Sequence, residues 1–233
     1  MNIVITGASK GMGKAMAEKF AAAKNNIFIC SRNEQKLAET ASELNQRCNS
    51  NIQYFAADLS QKEEVLKFAN WLLGKNMDID ILINNAGQFV QGSVYNETEG
   101  NLEQMIDINL YSAYHLTRAL LPKMIKNKSG HIFNMCSIAA LKAYNNGGSY
   151  SISKFALMGF SKNLREEMKP FNIKVTAVFP GAVYTSSWEG AGIKPERIME
   201  VEDIANMVLA ASLLSPQACV EDIVIRPLLG DLP

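Results

Sequence analysis

The sequence predicts an α/β fold: a doubly wound, parallel sheet of seven strands with helices on both faces. Short apolar runs alternate with longer helical segments along the whole chain, and this order is typical of a parallel sheet. The runs are apolar throughout, as expected for strands that are buried on both faces. We expect one domain over residues 1–233, because no linker, repeat or low-complexity stretch interrupts the alternation.

The boundaries of the elements follow from where each apolar pattern starts and stops. Leu37, Ala41 and Leu44 have the spacing of an amphipathic helix, and Ser60 with Glu63 has capping-box spacing at a helix start. The polar, glycine-containing segment 185–195 is expected to be a mobile loop. The predicted strands span residues 3–5, 26–30, 51–56, 79–83, 130–135, 173–179 and 220–225. The predicted helices span residues 14–20, 34–48, 60–74, 102–126, 149–168 and 202–214.

Composition argues against several classes of protein. Lys and Arg together number 23, as do Asp and Glu, so charge gives no reason to expect a nucleic-acid or membrane-surface partner. No apolar run approaches the roughly 18 residues of a spanning helix, and a strand starting near Asn2 leaves no room for a signal peptide. The four scattered cysteines are expected to be reduced thiols in a cytoplasmic protein. With only two histidines in the chain, we expect neither a histidine-based metal site nor a Ser-His-Asp triad.

A glycine-rich turn, residues 6–13, follows the first predicted strand and opens a helix. Gly7 permits a tight turn, Gly11 leaves room for a pyrophosphate, and Gly13 lets the helix approach the strand. The helix start then offers free N–H groups to the anion. Ser9, Lys10 and Met12 complete this candidate phosphate site. The alternative is a glycine-rich loop that binds nothing.

The second predicted strand ends in Ser31 and Arg32, where many dinucleotide-binding sheets carry a carboxylate for the ribose 2′-hydroxyl. A guanidinium instead pairs well with a 2′-phosphate, and Lys10 adds a second cation. We therefore expect NADP(H) rather than NAD(H). The alternative is that both side chains are solvated surface charges.

Tyr150 and Lys154 stand at i and i+4 on one face of a predicted helix. A nearby ammonium favours a phenolate, so we expect Lys154 to lower the pKa of Tyr150, which can then exchange a proton with an alcohol or a carbonyl oxygen. Ser137 follows the fifth strand and can bind the same oxygen; alone, it is equally a turn or helix-cap serine. The Tyr–Lys spacing by itself is common by chance.

Together these motifs resemble the single-domain branch of the short-chain dehydrogenase/reductases, over nearly the whole chain and in the family's order. The resemblance implies a Rossmann fold and a hydride transfer between a nicotinamide and a carbonyl carbon, without a metal. Ser137 would polarise the carbonyl and Tyr150 would protonate it, while Lys154 binds the nicotinamide ribose and Asn109 holds a water that resupplies the proton. The other matching residues are implied to contact the cofactor: Asp58 and Leu59 at the adenine, Asn85, Ala86 and Gly87 along it, and Pro180, Gly181, Val183 and Thr185 at the nicotinamide.

The resemblance also implies a homodimer or homotetramer that forms through the apolar helices 102–126 and 149–168. Candidate walls of the substrate pocket are Phe89, Tyr144, Tyr184 and Trp188. Candidate activities are those of 3-oxoacyl carrier-protein, sepiapterin-type and broad carbonyl reductases. A non-catalytic NADP(H)-binding regulator remains an alternative. A nucleotide-sugar epimerase is a third class, but it would need a larger second domain.

Overall fold

The computed structural model describes residues 1–185, 188 and 192–232, and in this part of the chain seven parallel strands form one sheet. The strands are β1 Asn2–Thr6, β2 Asn26–Ser31, β3 Asn51–Ala56, β4 Ile81–Asn84, β5 Gly130–Met135, β6 Ile173–Pro180 and β7 Asp222–Ile225. Their spatial order is β3-β2-β1-β4-β5-β6-β7, and every pair is parallel. The doubly wound fold is therefore confirmed. The order reverses between β1 and β4, where such sheets bind ligands.

The helices connect these strands and cover both faces of the sheet. The α-helices are α1 Gly11–Ala22, α2 Glu34–Cys48, α3 Lys62–Leu73, α4 Asn101–Ile106, α5 Ser112–Asn127, α6 Gly148–Met168 and α7 Val201–Ser212. A π-helical segment covers Asp107–Tyr111, and short 3₁₀ turns cover Ile138–Ala140, Lys169–Phe171 and Pro195–Arg197.

Side chains of β1 alternate between two hydrophobic cores. Ile3 and Ile5 pack with Phe20 of α1 in the first core, and Val4 packs with Phe68 of α3 in the second. Because successive side chains of a strand point to opposite faces, one core lies on each face of the sheet. Burial on both faces explains why the strands read as continuous apolar runs.

Two predicted helix features differ from the structure. The predicted helix 102–126 is divided into α4, the π-helical segment Asp107–Tyr111 and α5. The predicted capping box at Ser60 is wrong: its hydroxyl donates to Asp58 Oδ1 at 2.8 Å, and α3 begins only at Lys62. The Asp58 carboxylate, two residues away, competes for the serine as short polar side chains do in turns. A capping box does form at α7, between Glu200 and Asp203.

Part of the predicted mobile loop, residues 186, 187 and 189–191, lies outside the described residues. In the remainder of the chain, no helix is long and apolar enough to cross a bilayer, and no group of three metal-ligating side chains comes together. The four cysteines are unpaired thiols. Burial raises the pKa of Cys30 to about 12 and that of Cys136 to about 11.

Candidate active site

The glycine turn lies at the carboxyl end of β1, beside β4. Gly7 and Gly11 have φ angles of +65° and +55°, which glycine adopts without steric cost. A Cβ on Gly13 would lie 2.3 Å from the carbonyl oxygen of Gly7, so only glycine fits this contact. The turn and the start of α1 thus form the compact cradle that a pyrophosphate needs.

Thr6 and Asn85 hold this turn against β4. The Thr6 hydroxyl accepts from the backbone N–H groups of Asn85 and Ala86, both at 2.9 Å. In return, Asn85 Nδ2 donates to the carbonyl oxygens of Thr6 and Gly7 at 2.9 and 3.1 Å. The sequence analysis missed this role of Thr6, because a threonine at a strand end carries no distinctive local signal.

The end of β2 brings polar groups next to the turn. The Ser31 hydroxyl is buried and has no hydrogen-bond partner among the described residues, while Arg32 and Lys10 are exposed beside it at the same edge of the sheet. A buried, unsatisfied hydroxyl with two nearby cations fits an anionic ligand group. At the end of β3, Asp58 Oδ1 accepts from the backbone N–H and the hydroxyl of Ser60, and Leu59 is buried.

Ser137, Tyr150 and Lys154 meet at the carboxyl end of β5. The Ser137 side chain lies close enough to the Tyr150 hydroxyl to lower its pKa, and Ser137 Oγ accepts from the N–H of Ala139 at 3.1 Å. Lys154 Nζ donates to the carbonyl oxygen of Met135 at 2.9 Å and lies 5.8 Å from the centre of the Tyr150 ring. The three predicted side chains therefore form one cluster.

The pKa values of this cluster correct one expectation. Burial raises the pKa of Tyr150 to about 12, although its hydrogen bond from Ser137 acts in the opposite direction. Burial also lowers the pKa of Lys154 to about 8. The expected lowering of the tyrosine pKa by Lys154 is absent, because burial of the phenol, which disfavours the phenolate, is the largest influence on this pKa.

Asn109 lies in the π-helical segment and supports the strand end beneath the cluster. Its Oδ1 accepts from the N–H of Gln88 at 2.8 Å, and its Nδ2 donates to the Gln88 carbonyl oxygen at 3.0 Å. Nδ2 also donates to the hydroxyl of Ser153 at 2.9 Å. A Cβ on Gly87 would lie 2.9 Å from Asn109 Oδ1 and 3.5 Å from Lys154 Nζ. Gly87 therefore allows the backbone to approach Asn109 and Lys154 more closely than a residue with a side chain could.

Three serines that the sequence analysis did not single out fasten the first turns of α6. Ser149 donates to Glu97 Oε1 at 2.6 Å, Ser151 donates to the Ala139 carbonyl oxygen at 2.8 Å, and Ser153 accepts from Asn109. Their partners lie in three different segments around Tyr150: the 88–97 loop, the 3₁₀ turn Ile138–Ala140 and the π-helical segment. Their spacing of two residues places them on different faces of a helix, so the pattern suggested no common role.

The candidate pocket residues divide between two places. The Phe89 ring contacts the Tyr150 ring edge-on, with centres 4.9 Å apart, and Tyr144 is an exposed side chain that packs against Gly147. Tyr184 instead lines a cavity of about 430 Å³ beside the glycine turn, together with Lys10, Gly11 and Thr185. Trp188 is half-buried, and its backbone N–H donates to the carbonyl oxygen of Thr185.

The Pro180–Thr185 segment leads from β6 back towards the glycine turn. The N–H of Gly181 donates to the Ile225 carbonyl oxygen at 2.8 Å, and Val183 is buried and bridges to Met199. A Cβ on Gly11 would lie 3.4 Å from the methyl group of Thr185. Thr185 therefore faces the turn, as the sequence predicts for a residue that contacts the same cofactor.

Comparison with known proteins identifies the class. The family model for short chain dehydrogenase matches residues 1–194. The chain thus belongs to the short-chain dehydrogenase family of oxidoreductases, which confirms the resemblance.

Individual relatives extend over nearly the whole chain. A sepiapterin reductase of Chlorobaculum tepidum is 33% identical, over 99% of this chain and 97% of its own. An uncharacterized oxidoreductase of Staphylococcus epidermidis is 32% identical over 96% of both chains. Among solved structures, an alcohol dehydrogenase from the archaeon Thermococcus sibiricus, complexed with 5-hydroxy-NADP, has a TM-score of 0.91 at 25% identity, covering 100% of this chain and 98% of its own. L-sorbose reductase from Gluconobacter frateurii, complexed with NADPH and L-sorbose, has a TM-score of 0.89 at 25% identity, covering 96% and 94%.

Proposed function

We propose that this protein is an NADP(H)-dependent carbonyl reductase in which Tyr150 is the general acid. The observation that carries the proposal is the cluster of Ser137, Tyr150 and Lys154, which lies at the same sheet edge as the glycine turn. Proton donation from such a phenol to a substrate oxygen is a recognised form of acid catalysis.

The cradle around the glycine turn fits a dinucleotide. Gly7, Gly11 and Gly13 would hold the pyrophosphate, because no larger residue fits Gly13 and the other two require positive φ. The unsatisfied Ser31 hydroxyl with Arg32 and Lys10 supports a 2′-phosphate and therefore NADP(H). Several similar structures are complexes with NADP, NADPH or 5-hydroxy-NADP. The other cofactor contacts are proposed as the family resemblance implies them: Ser9, Met12, Asp58, Leu59, Asn85, Ala86, Gly87, Pro180, Gly181, Val183 and Thr185.

The bound cofactor would supply the hydride, and the chain's own residues would handle the carbonyl oxygen and the proton. The Ser137 side chain lies next to the Tyr150 hydroxyl, so a carbonyl oxygen between the two hydroxyls would be held and polarised. Tyr150 would then donate its proton to that oxygen as charge develops on it. Lys154, whose Nζ lies beside the backbone of Gly87, would bind the nicotinamide ribose. The proposed water at Asn109 would return the proton.

The substrate we propose is a neutral, largely apolar carbonyl compound. Phe89 and Tyr144 offer aromatic surface near Tyr150. The segments 88–97, 138–148 and 184–195, from which the candidate pocket residues come, contain no arginine, and Lys142 and Lys194 are their only cations. A dianionic substrate would lack counter-charges there. The likeness to a sepiapterin reductase supports the same class of compound.

We also propose that residues 1–233 act as one cytoplasmic domain that forms a homodimer or homotetramer. Large apolar side chains remain exposed along the helices that would pair: Leu102 on α4, Tyr111 in the π-helical segment, and Ile152 and Phe155 on α6. Exposed apolar surface of this kind marks interaction sites. Sedimentation of the purified protein tests the assembly.

The decisive experiment measures NADPH and NADH oxidation with a panel of ketones and aldehydes, for the wild type and Tyr150→Phe. Losing the general acid should reduce kcat by roughly 100-fold or more while NADPH binding is retained. Tyr54→Phe is the matched control, because Tyr54 is an exposed side chain on β3, away from the cluster. Unchanged turnover in Tyr150→Phe would remove Tyr150 from the mechanism. NADPH binding by the wild type without any turnover would favour the non-catalytic regulator.

A further inference from the structure

The loop of residues 88–97 passes beside Tyr150 and is fastened at both ends. At its start, the side chain of Asn109 binds both the N–H and the carbonyl oxygen of Gln88. At its end, the Glu97 carboxylate binds Ser149, the second residue of α6. Between these anchors, Phe89 contacts the Tyr150 ring. The position of Phe89 therefore depends on both anchors.

Glu97 caps the helix that carries Tyr150. Its Oε1 accepts from the Ser149 hydroxyl at 2.6 Å and its Oε2 from the Ser149 N–H at 3.2 Å. The N-cap residue of α6 is Gly147, which has no side chain to satisfy the first N–H groups. A carboxylate at a helix start is favoured by the helix dipole and by charge-assisted hydrogen bonds. Glu97 provides this cap from 52 residues earlier in the chain.

Further contacts bring the loop and the start of α6 too close for any intervening side chain. Gly92 N–H donates to the Asn146 carbonyl oxygen at 3.2 Å, and the Ser93 hydroxyl donates to Asn146 Oδ1 at 2.6 Å. Gly148 has a φ of +36°, and a Cβ there would lie 2.4 Å from the carbonyl oxygen of Gly92. Glycine at 148 thus allows the approach that the Glu97 carboxylate fastens.

From these contacts we propose that Glu97 is a positioning residue: by capping α6 it holds the 88–97 loop as a fixed wall of the substrate pocket, with Phe89 beside Tyr150. This inference rests on the proposed reductase function. Phe89 is 52% exposed, so one face of its ring remains available to an apolar substrate. Glu97 acts through this wall and does not touch the reacting atoms. Its loss should therefore affect substrate binding more than chemistry.

The test compares Glu97→Ala with Glu99→Ala, which removes an exposed carboxylate two residues away. Losing a charge-assisted cap should raise KM for an apolar ketone roughly tenfold in Glu97→Ala. The value of kcat should stay within about threefold, and the Kd of NADPH should not change. Glu97→Gln retains an acceptor for the Ser149 N–H and should restore most of the affinity. Ser149→Ala should resemble Glu97→Ala, and combining the two should add little.

Amide hydrogen exchange of the 88–97 loop provides a second readout that needs no turnover. Exchange should accelerate in Glu97→Ala and remain as in the wild type in Glu99→Ala. Equal KM values in the two alanine variants would overturn the proposal, as would a fall in kcat with unchanged KM. If the wild type reduces no carbonyl compound, the proposed function fails. Equal amide exchange rates of the 88–97 loop in Glu97→Ala and Glu99→Ala would then separately refute the proposal that Glu97 anchors this loop.

Discussion

Lys154→Met should make the protein more stable while removing its activity. The Lys154 side chain is only 5% exposed and donates to the Met135 carbonyl oxygen. Burial lowers its pKa from 10.5 to about 8. At neutral pH the folded protein therefore holds an ammonium group in a place that disfavours it. Methionine has a similar length and shape without the charge.

The expected gain follows from the pKa difference. A change from 10.5 to about 8 corresponds to roughly 3 kcal/mol, at about 1.4 kcal/mol for each pH unit. The variant loses the hydrogen bond to Met135, which costs about 1 kcal/mol. The net increase in the free energy of unfolding is about 2 kcal/mol at pH 7. For a chain of this size that is roughly 4–8 °C in Tm.

The pH dependence of this gain is the distinctive signature. Since the folded pKa is the lower one, the unfolded chain holds more protons between about pH 8 and 10.5. Wild-type stability, relative to the variant, therefore rises with pH in this window. The advantage of Lys154→Met should be complete below pH 8, vanish near about pH 9.5, and become a disadvantage of about 1 kcal/mol above about pH 10.5, where only the lost hydrogen bond remains. Tyr150 is present in both proteins, so its own titration largely cancels in the difference.

Urea unfolding without cofactor, at pH 7 and pH 10, measures both free energies by linear extrapolation. Lys162→Met, an exposed change on the same helix, should alter stability little at either pH. A Lys154→Met protein that is no more stable than the wild type at pH 7 would refute the reasoning. A gain that is equally large at pH 10 would also refute it.

Two further predictions concern the cofactor and the backbone. Arg32→Asp should raise KM for NADPH by at least roughly tenfold and change KM for NADH much less, because a carboxylate repels the 2′-phosphate. Initial rates with both cofactors measure this, and equal effects on both would exclude Arg32 from phosphate recognition. Gly159→Ala in α6, where a Cβ meets nothing within 4 Å, should raise the free energy of unfolding by up to about 1 kcal/mol. Chemical denaturation checks it, and a destabilised variant would contradict the open environment at Gly159.

The architecture could be predicted from the sequence because it depends on local signals that agree with one another. Most strands are apolar runs, and each predicted helix except 102–126, which is divided, matches an observed one to within a few residues. The misplaced capping box shows where such reasoning fails. Ser60 and Glu63 satisfy the pattern, but the nearby Asp58 carboxylate takes the serine hydroxyl first. Which polar group the Ser60 hydroxyl binds depends on the three-dimensional geometry, and the spacing of Ser60 and Glu63 in the sequence does not reveal it.

Less of the candidate site could be predicted. Parallel strands bring their carboxyl ends to one edge, so Ser137, Arg32 and the glycine turn were expected to lie at the same edge. The bond between Glu97 and Ser149 joins residues 52 positions apart, and no local periodicity connects them. The raised pKa of Tyr150 could not be predicted either, because it results from the burial of the phenol, which the sequence does not show. The sequence showed only the lysine four residues away, from which a lowered pKa was the expectation.

That raised pKa supports reduction as the direction of the proposed reaction. At pH 7 a phenol with a pKa of about 12 is ionised in roughly one molecule in 100,000. An oxidation that requires the phenolate would begin from this rare form. A reduction begins from the protonated form, which is nearly the whole population. Transfer of the proton to an alkoxide remains favourable, because an alcohol is a much weaker acid than even this phenol. Burial keeps Tyr150 protonated at pH 7. The protonated phenol is the form that the proposed acid role requires.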